Sequence, residues 1–384
     1  VTVIALFEDY QLAFSDVLLT VTDRAISAST PTTGDTAGFS DLKYGVSRLV
    51  RKVIAADGPT GRAELLVSGT VSHIEYFSAA LNQAFRNQGQ LPEELFKLVL
   101  ENGAYGCVQV AALISNAHGY NEFEVVGVAG DKMCTHTFDA NKSFVNLPYF
   151  GAVWIAGSGA ANLLNWLELR AAGYASHYAR IDAQERRFHI ANNIPLFLME
   201  EDASPMRRTI KTGVGGYYEA YKISPGMLTP MGDCLTVFAD LRGKRRDATV
   251  LVRRLMYHCY RDNHMYVLSA KHDVLVTAGS SKSVLLSDCT LFEVSPLQTR
   301  PVRSNWNIHR VATQLRGAAL VRTVMRKDEG SHVSTKRFIS DKPSFAKLFN
   351  ITISGGNINL ELNLASLHYF ESRFSEDKSD AILV

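Results

Sequence analysis

Thr2 to Asp16 reads TVIALFEDYQLAFSD, and the reading of this stretch decides the fold of the first part of the chain. Val3–Phe7 and Leu12–Phe14 are short β-rich runs, and the polar Glu8-Asp9-Tyr10-Gln11 between them is the pattern of a hairpin turn. The run carries no basic residue before Glu8 and Asp9, so it reads as strand and turn and not as an export signal.

Outward from this hairpin the chain alternates between strand and helix signals. Ser27–Ser40, rich in Ser, Thr, Pro, Gly and Asp, reads as a surface loop. Leu49–Ala55 and Ala63–Ser68 are strands joined through Asp57-Gly58-Pro59-Thr60-Gly61. Ile74, Phe77, Leu81 and Phe85 fall at helical spacing within Thr70–Arg86, and Pro92–Leu100 repeats the pattern. Strands are expected again at Val108–Ser115, Phe123–Ala129, Cys134–Phe138 and Ala152–Ala156. Gly157-Ser158-Gly159 then opens a helix through Leu163, Leu164, Leu167 and Leu169, and a second helix covers Ala183–Glu200 despite Pro195. Tyr217–Ile223 and Leu235–Leu241 return to strand.

Strands, two helices, strands, two helices and strands again predict an α+β fold, a four-layer αββα sandwich with two sheets face to face between helical layers. The basic Arg242-Gly243-Lys244-Arg245-Arg246 marks a domain boundary, giving a first domain over 1–246 and a second over 247–384. The second reads as a β-rich C-terminal extension, with strand-like runs such as Thr249–Met256, Ala318–Met325 and Ile351–Leu364. A short helix is expected near Ser344–Leu348, and Ser375–Asp380 reads as a mobile tail.

Bulk properties narrow the function classes. At 384 residues the chain exceeds one ordinary core, and 46% hydrophobic against 20% charged residues supports a folded protein. A net charge of +2 argues for neither nucleic acid nor membrane as a partner. Five cysteines, odd in number and without a CxxC pair, disfavour a disulfide framework and a thiolate metal site, which fits a reducing cytoplasm. No apolar run reaches the roughly 18 residues of a membrane span, so a soluble protein is expected.

Several short segments, in order, resemble the proteasome-like N-terminal-nucleophile hydrolases, in particular the proteasome β-subunit and the peptidase subunit of the bacterial two-component proteasome-like protease. Thr2–Asp16 is similar to that family's opening hairpin, with Thr2 and Asp16 in the threonine and aspartate roles. Leu42-Lys43-Tyr44-Gly45-Val46-Ser47-Arg48-Leu49 resembles the segment that carries the catalytic lysine, which matches Lys43. Leu66-Val67-Ser68-Gly69-Thr70 resembles the strand-to-helix turn with the oxyanion-binding glycine, here Gly69, and Ile155–Gly159 resembles the GSG turn, with Ser158 as site candidate. Thr212-Gly213-Val214-Gly215-Gly216 resembles the glycine-rich turn before a late strand. The resemblance covers residues 1 to 241.

It implies a threonine peptidase or amidohydrolase. An N-terminal threonine brings both hydroxyl and free amine, and the amine, with a pKa near 7.7 to 8, serves as the adjacent base. The lysine ammonium lowers the hydroxyl pKa, the aspartate holds the lysine, and the Gly69 N–H stabilises the oxyanion, a donor role worth about 3 kcal/mol. Val1 precedes Thr2, and the expectation is that Val1 reads a GTG start codon and is removed as formyl-methionine. With Val1 retained, the chain is an inactive structural or binding subunit. A third alternative is an enzyme of this fold acting on a small amide or nucleotide. The resemblance further implies homo-oligomeric rings, a peptide or unfolded-protein substrate and an ATP-dependent unfoldase as partner.

Other motifs carry little. The eleven histidines form no HExxH pair, and His258 and His264, with Cys259 between them, read as edge strand and turn, so no metal is assigned. Gly157-Ser158-Gly159 lacks the further glycines or lysine of a phosphate loop, and no cofactor is expected. Arg242–Arg246 reads as a solvated linker.

Overall fold

In the computed structural model the residues described are 3–21, 23, 27–36, 44–58, 61–69, 79, 82–83, 86, 110–116, 119–127, 134–137, 144–204, 208–243, 248–271, 273–277, 279–297, 305–328, 333–341, 348–374 and 381–383. The chain divides into two compact units, Val1–Met231 with Ser295–Pro301, and Gly232–Val294 with Val302–Val384.

The first unit contains β1 (Ile4–Phe7), β2 (Leu12–Asp16), β3 (Leu18–Val21), β4 (Gly45–Arg51), β5 (Val53–Gly58), β6 (Gly61–Gly69), β7 (Val110–Asn116), β8 (Gly119–Gly127), β9 (Cys134–Thr137), β10 (Val145–Leu147) and β11 (Gly151–Ala156). Three helices follow, α1 (Ala160–His177), α2 (Ala183–Ala203) and α3 (Arg208–Lys211), then β12 (Tyr218–Ser224) and β13 (Met227–Pro230). One antiparallel sheet has the order β10-β11-β1-β2-β12-β13, and a second has the order β5-β6-β7-β8-β9. β1 and β2 are the hairpin read from the sequence: Ile4 faces Ser15, Phe7 faces Leu12, and Gln11 closes the turn in the left-handed region at φ 48°. α1 packs on β10 and β11, and α2 on β2 and β12; the strands β1 and β13 also contact β6. Ile4, Leu6, Leu66, Trp154 and Tyr221 form a buried cluster.

α2 starts cleanly, because Asp182 caps it by accepting the Glu185 N–H at 2.8 Å, and it continues through Pro195. The ring at Pro195 costs one intrahelical hydrogen bond, and the burial of Ile190, Ile194, Leu198 and Met199 along the same helix offsets that loss.

The second unit is β14 (Cys234–Arg242), β15 (Thr249–Arg261), β16 (His264–Ala270), β17 (Val274–Thr277), β18 (Ser281–Leu285), β19 (Thr290–Pro296), α4 (Ile308–Gln314), β20 (Leu320–Asp328), β21 (Val333–Ser340), β22 (Phe349–Ser354), β23 (Asn357–Leu362), α5 (Leu364–Phe374) and β24 (Ala381–Leu383). Its large sheet runs β24-β21-β20-β14-β15-β16-β19, and β18, β23 and β22 form a three-stranded sheet. Leu235, Val237, Tyr257, Leu268, Phe338 and Phe370 belong to its core. Ser295 and Pro296, which count with the first unit, run parallel to Val50 and Arg51 of β4.

The expected four-layer αββα sandwich is corrected by this arrangement. The described residues are about 50% strand and 28% helix, with several multi-stranded sheets and few helices. Helices cover a single sheet of the first unit among the described residues, through α1 and α2. The expected helices at Thr70–Arg86 and Pro92–Leu100 lie outside the described residues except for the helical Ala79, Asn82, Gln83 and Arg86. The chain passes between its units at Met231–Gly232, ahead of the basic stretch at 242–246, because β14 pairs along its length with β15 and β20. The tail Ser375–Asp380 and most of Ser344–Leu348 also lie outside the described residues.

Candidate functional site

Asp16 ends β2 and is fully buried. The hairpin register brings it beside Val3: the Val3 N–H donates to Asp16 Oδ1 at 3.0 Å, and the Asp16 N–H donates back to the Val3 carbonyl at 3.3 Å. The second carboxylate oxygen accepts the Gly215 N–H at 3.0 Å. One aspartate thus fixes the backbone next to Thr2 and the glycine-rich turn, two of the segments that the sequence singled out. Thr2 itself lies outside the described residues.

Lys43 also lies outside them. Among the described residues, a lysine that feels the Asp16 charge is Lys52, between β4 and β5, which was not singled out from the sequence. Its side chain is buried and its Nζ donates to the Leu18 carbonyl at 2.8 Å. Burial holds its pKa below the usual lysine range; the Asp16 charge opposes that shift, and Arg48 adds to it. The neighbouring Arg51 is engaged elsewhere, with Nε 2.9 Å from Glu219 Oε1. A signal was present in the sequence: Arg51-Lys52 interrupts Leu49-Val50 and Val53-Ile54, and a lysine inside an apolar strand run is seldom buried without a partner.

Gly157-Ser158-Gly159 joins β11 to α1. Gly159 is pressed against the same centre: a Cβ there would overlap Val214 and lie 3.2 Å from the Cβ of Val3. Ser158 is exposed on this turn. Gly69 closes β6 opposite Val110.

A second buried carboxylate, Asp202 of α2, was not singled out from the sequence. It accepts from Thr32 Oγ1 at 2.9 Å, Tyr218 OH at 2.8 Å, the Gly216 N–H at 3.1 Å and Thr209 Oγ1. Burial outweighs these four donors and pushes its pKa up to about 7.

Beside Val3 opens a cavity of about 470 Å³ between α1, α2 and the turn after α3, lined among others by Leu163, Trp166, Phe197, Thr212 and Val214. Among the described residues no group of His, Cys, Asp and Glu is placed to hold a metal ion. His258 and Cys259 are successive residues of β15 and point to opposite faces, with Cys259 in the core. Burial pushes the thiols of Cys259 and Cys289 up, to about 12 and about 11, which makes both poor nucleophiles.

No protein-family model matches this sequence, and no curated protein matches it.

Proposed function

We propose that this chain hydrolyses amide bonds with Thr2 as nucleophile once Thr2 is the first residue of the processed chain, and that it acts on peptides within a homo-oligomeric, proteasome-like assembly. The observation that carries the reading is Asp16: a buried carboxylate grips the amide of the residue after Thr2 and lies within the field of a buried lysine. Val3, the residue after Thr2, is held at this centre through its own N–H and carbonyl.

In this mechanism the Thr2 hydroxyl attacks the substrate carbonyl. The free Thr2 amine takes its proton and passes it to the leaving amine, and water releases the acyl group from the Thr2 ester. Lys52, in the role first given to Lys43, supplies positive charge beside the hydroxyl, and Asp16 opposes the loss of that charge to burial.

The test is an intact-mass measurement of the processed protein combined with hydrolysis of fluorogenic N-acyl peptide amides. A threonine terminus with hydrolysis that Thr2→Ala abolishes supports the reading. A blocked Thr2 and no hydrolysis overturn it and leave a structural or binding subunit.

A further inference from the structure

A second cavity, of about 480 Å³, lies at the end of the opening hairpin away from Asp16, between the β1–β2 turn, the first turns of α2, and Lys222 of β12. At about 3.4 Å per strand residue, Gln11 on its wall stands roughly 17 Å along β2 from Asp16, so this place is separate from the centre described above. Its volume is that of a small-molecule site.

Two cations line it without a counter-charge. Arg187 of α2 donates from Nη2 to the Gln11 carbonyl at 3.4 Å, and among the described residues it meets no carboxylate. Burial holds its pKa below the usual arginine range, and no neighbouring charge offsets that shift. Lys222, opposite Leu12 in the sheet, is exposed, and its ammonium has no partner among the described residues. The one acid on the wall, Asp9, rests against Gly151, where a Cβ would meet its carboxylate. With Arg187 and Lys222 against Asp9, the lining keeps a net positive charge at neutral pH, and Phe188 and Met231 give it an apolar wall.

We infer that this cavity binds a monoanion whose carboxylate takes hydrogen bonds from Arg187 and Lys222 while an apolar body lies on Phe188 and Met231. A planar guanidinium matches a carboxylate in shape, and the lysine adds a point charge beside it. A free acid and the C-terminus of a peptide both present this group. Binding does not depend on the hydrolytic reading.

The experiment is calorimetric titration of the full chain carrying Thr2→Ala with phenylacetate, N-acetylalanylphenylalanine, phenylacetamide and acetate. The expected result is saturable binding of phenylacetate or of the acetylated dipeptide, and the tighter of the two assigns the source as free acid or peptide end. Phenylacetamide, which lacks the charge, and acetate, which lacks the apolar body, should each bind at least tenfold more weakly. Arg187→Gln should weaken binding at least tenfold. Lys222→Gln, at an exposed position whose loss leaves the fold intact by circular dichroism, should weaken it about threefold or more. Lys282→Gln, which removes an exposed lysine of β18, should leave affinity unchanged. Phenylacetamide binding as tightly as phenylacetate, affinity in Lys222→Gln equal to the parent, or no saturable binding of either carboxylate overturns the inference.

Discussion

Asp16 and Asp202 hold neighbouring amides of one turn: Asp16 Oδ2 accepts the Gly215 N–H at 3.0 Å and Asp202 Oδ2 accepts the Gly216 N–H at 3.1 Å. Asp16 comes from the opening hairpin and Asp202 from the end of α2, so the turn ties the two elements together. Anything that loosens one carboxylate reaches the other through a single peptide unit.

Asp202 makes the first prediction a pH experiment. Its carboxyl is lifted from 3.8 to about 7, so its contribution to stability is fully present below about pH 4 and is lost as pH rises through about 7. Asp202→Asn removes that dependence. At about 1.4 kcal/mol per tenfold change in proton affinity, the parent should lose on the order of 3 kcal/mol relative to the variant between pH 4 and pH 8. The variant also loses stability of its own, since its amide nitrogen accepts nothing from the two donors that meet one carboxylate oxygen. Urea unfolding at both pH values reads the difference; parallel losses in the two proteins would mean that Asp202 is ionised throughout.

The turn itself supplies the second. Gly215 has φ +136°, and a Cβ there would lie 2.7 Å from both Asp202 oxygens and 2.8 Å from Ile210 Cδ1. Gly215→Ala should therefore cost about 2–4 kcal/mol through strain and displacement of Asp202. Gly173, inside α1 with nothing within 4 Å of a built Cβ, is the opposite case, and Gly173→Ala should stabilise by about 0.5–1 kcal/mol. Thermal unfolding of the pair should shift in opposite directions.

The contrast between what the sequence told and what it hid is sharpest in these same elements. The β1–β2 hairpin was legible because its signal is local: two apolar runs around Glu8–Gln11. The helix after Gly157-Ser158-Gly159 and the one through Pro195 were legible for the same reason, by period. The layer arrangement was not. β14 was read as the closing strand of the first domain, yet it pairs in parallel with β20, Cys234 opposite Leu320, a contact between segments far apart in the chain that no periodicity records. Lys52 was not singled out because the motif order that pointed to Lys43 carries no information on burial. Asp202 was not singled out, since its four donors from Thr32, Thr209, Gly216 and Tyr218 converge only in three dimensions.

Lys52 offers a test of the site apart from the fold. Lys52→Met removes the amine and keeps the apolar stem, so the fold should survive by circular dichroism while hydrolysis falls about 100-fold or more. Lys52→Arg should not restore it, because a planar guanidinium does not fit the buried place of a compact ammonium. Stability carries a second signature. A lysine with a depressed folded pKa holds fewer protons folded than unfolded, so the parent should gain stability over Lys52→Met as pH rises toward about 10.5. A difference independent of pH would place Lys52 in water and remove it from the site.

The second unit should respond to its own core. Phe338 of β21 and Phe370 of α5 are both fully buried, with ring centroids 4.2 Å apart, so the pair fastens α5 to the sheet. Phe370→Ala leaves a cavity in a close-packed interior and should cost about 3–5 kcal/mol. Phe374, one turn on, is 9% exposed and lies under Lys327, whose Nζ is 5.5 Å from the ring centroid. A side chain at the edge of the core, whose removal water can fill, should cost less, about 1–2 kcal/mol for Phe374→Ala. Calorimetric unfolding of the two variants decides it: equal losses would mean that α5 is held along its length and not at Phe370.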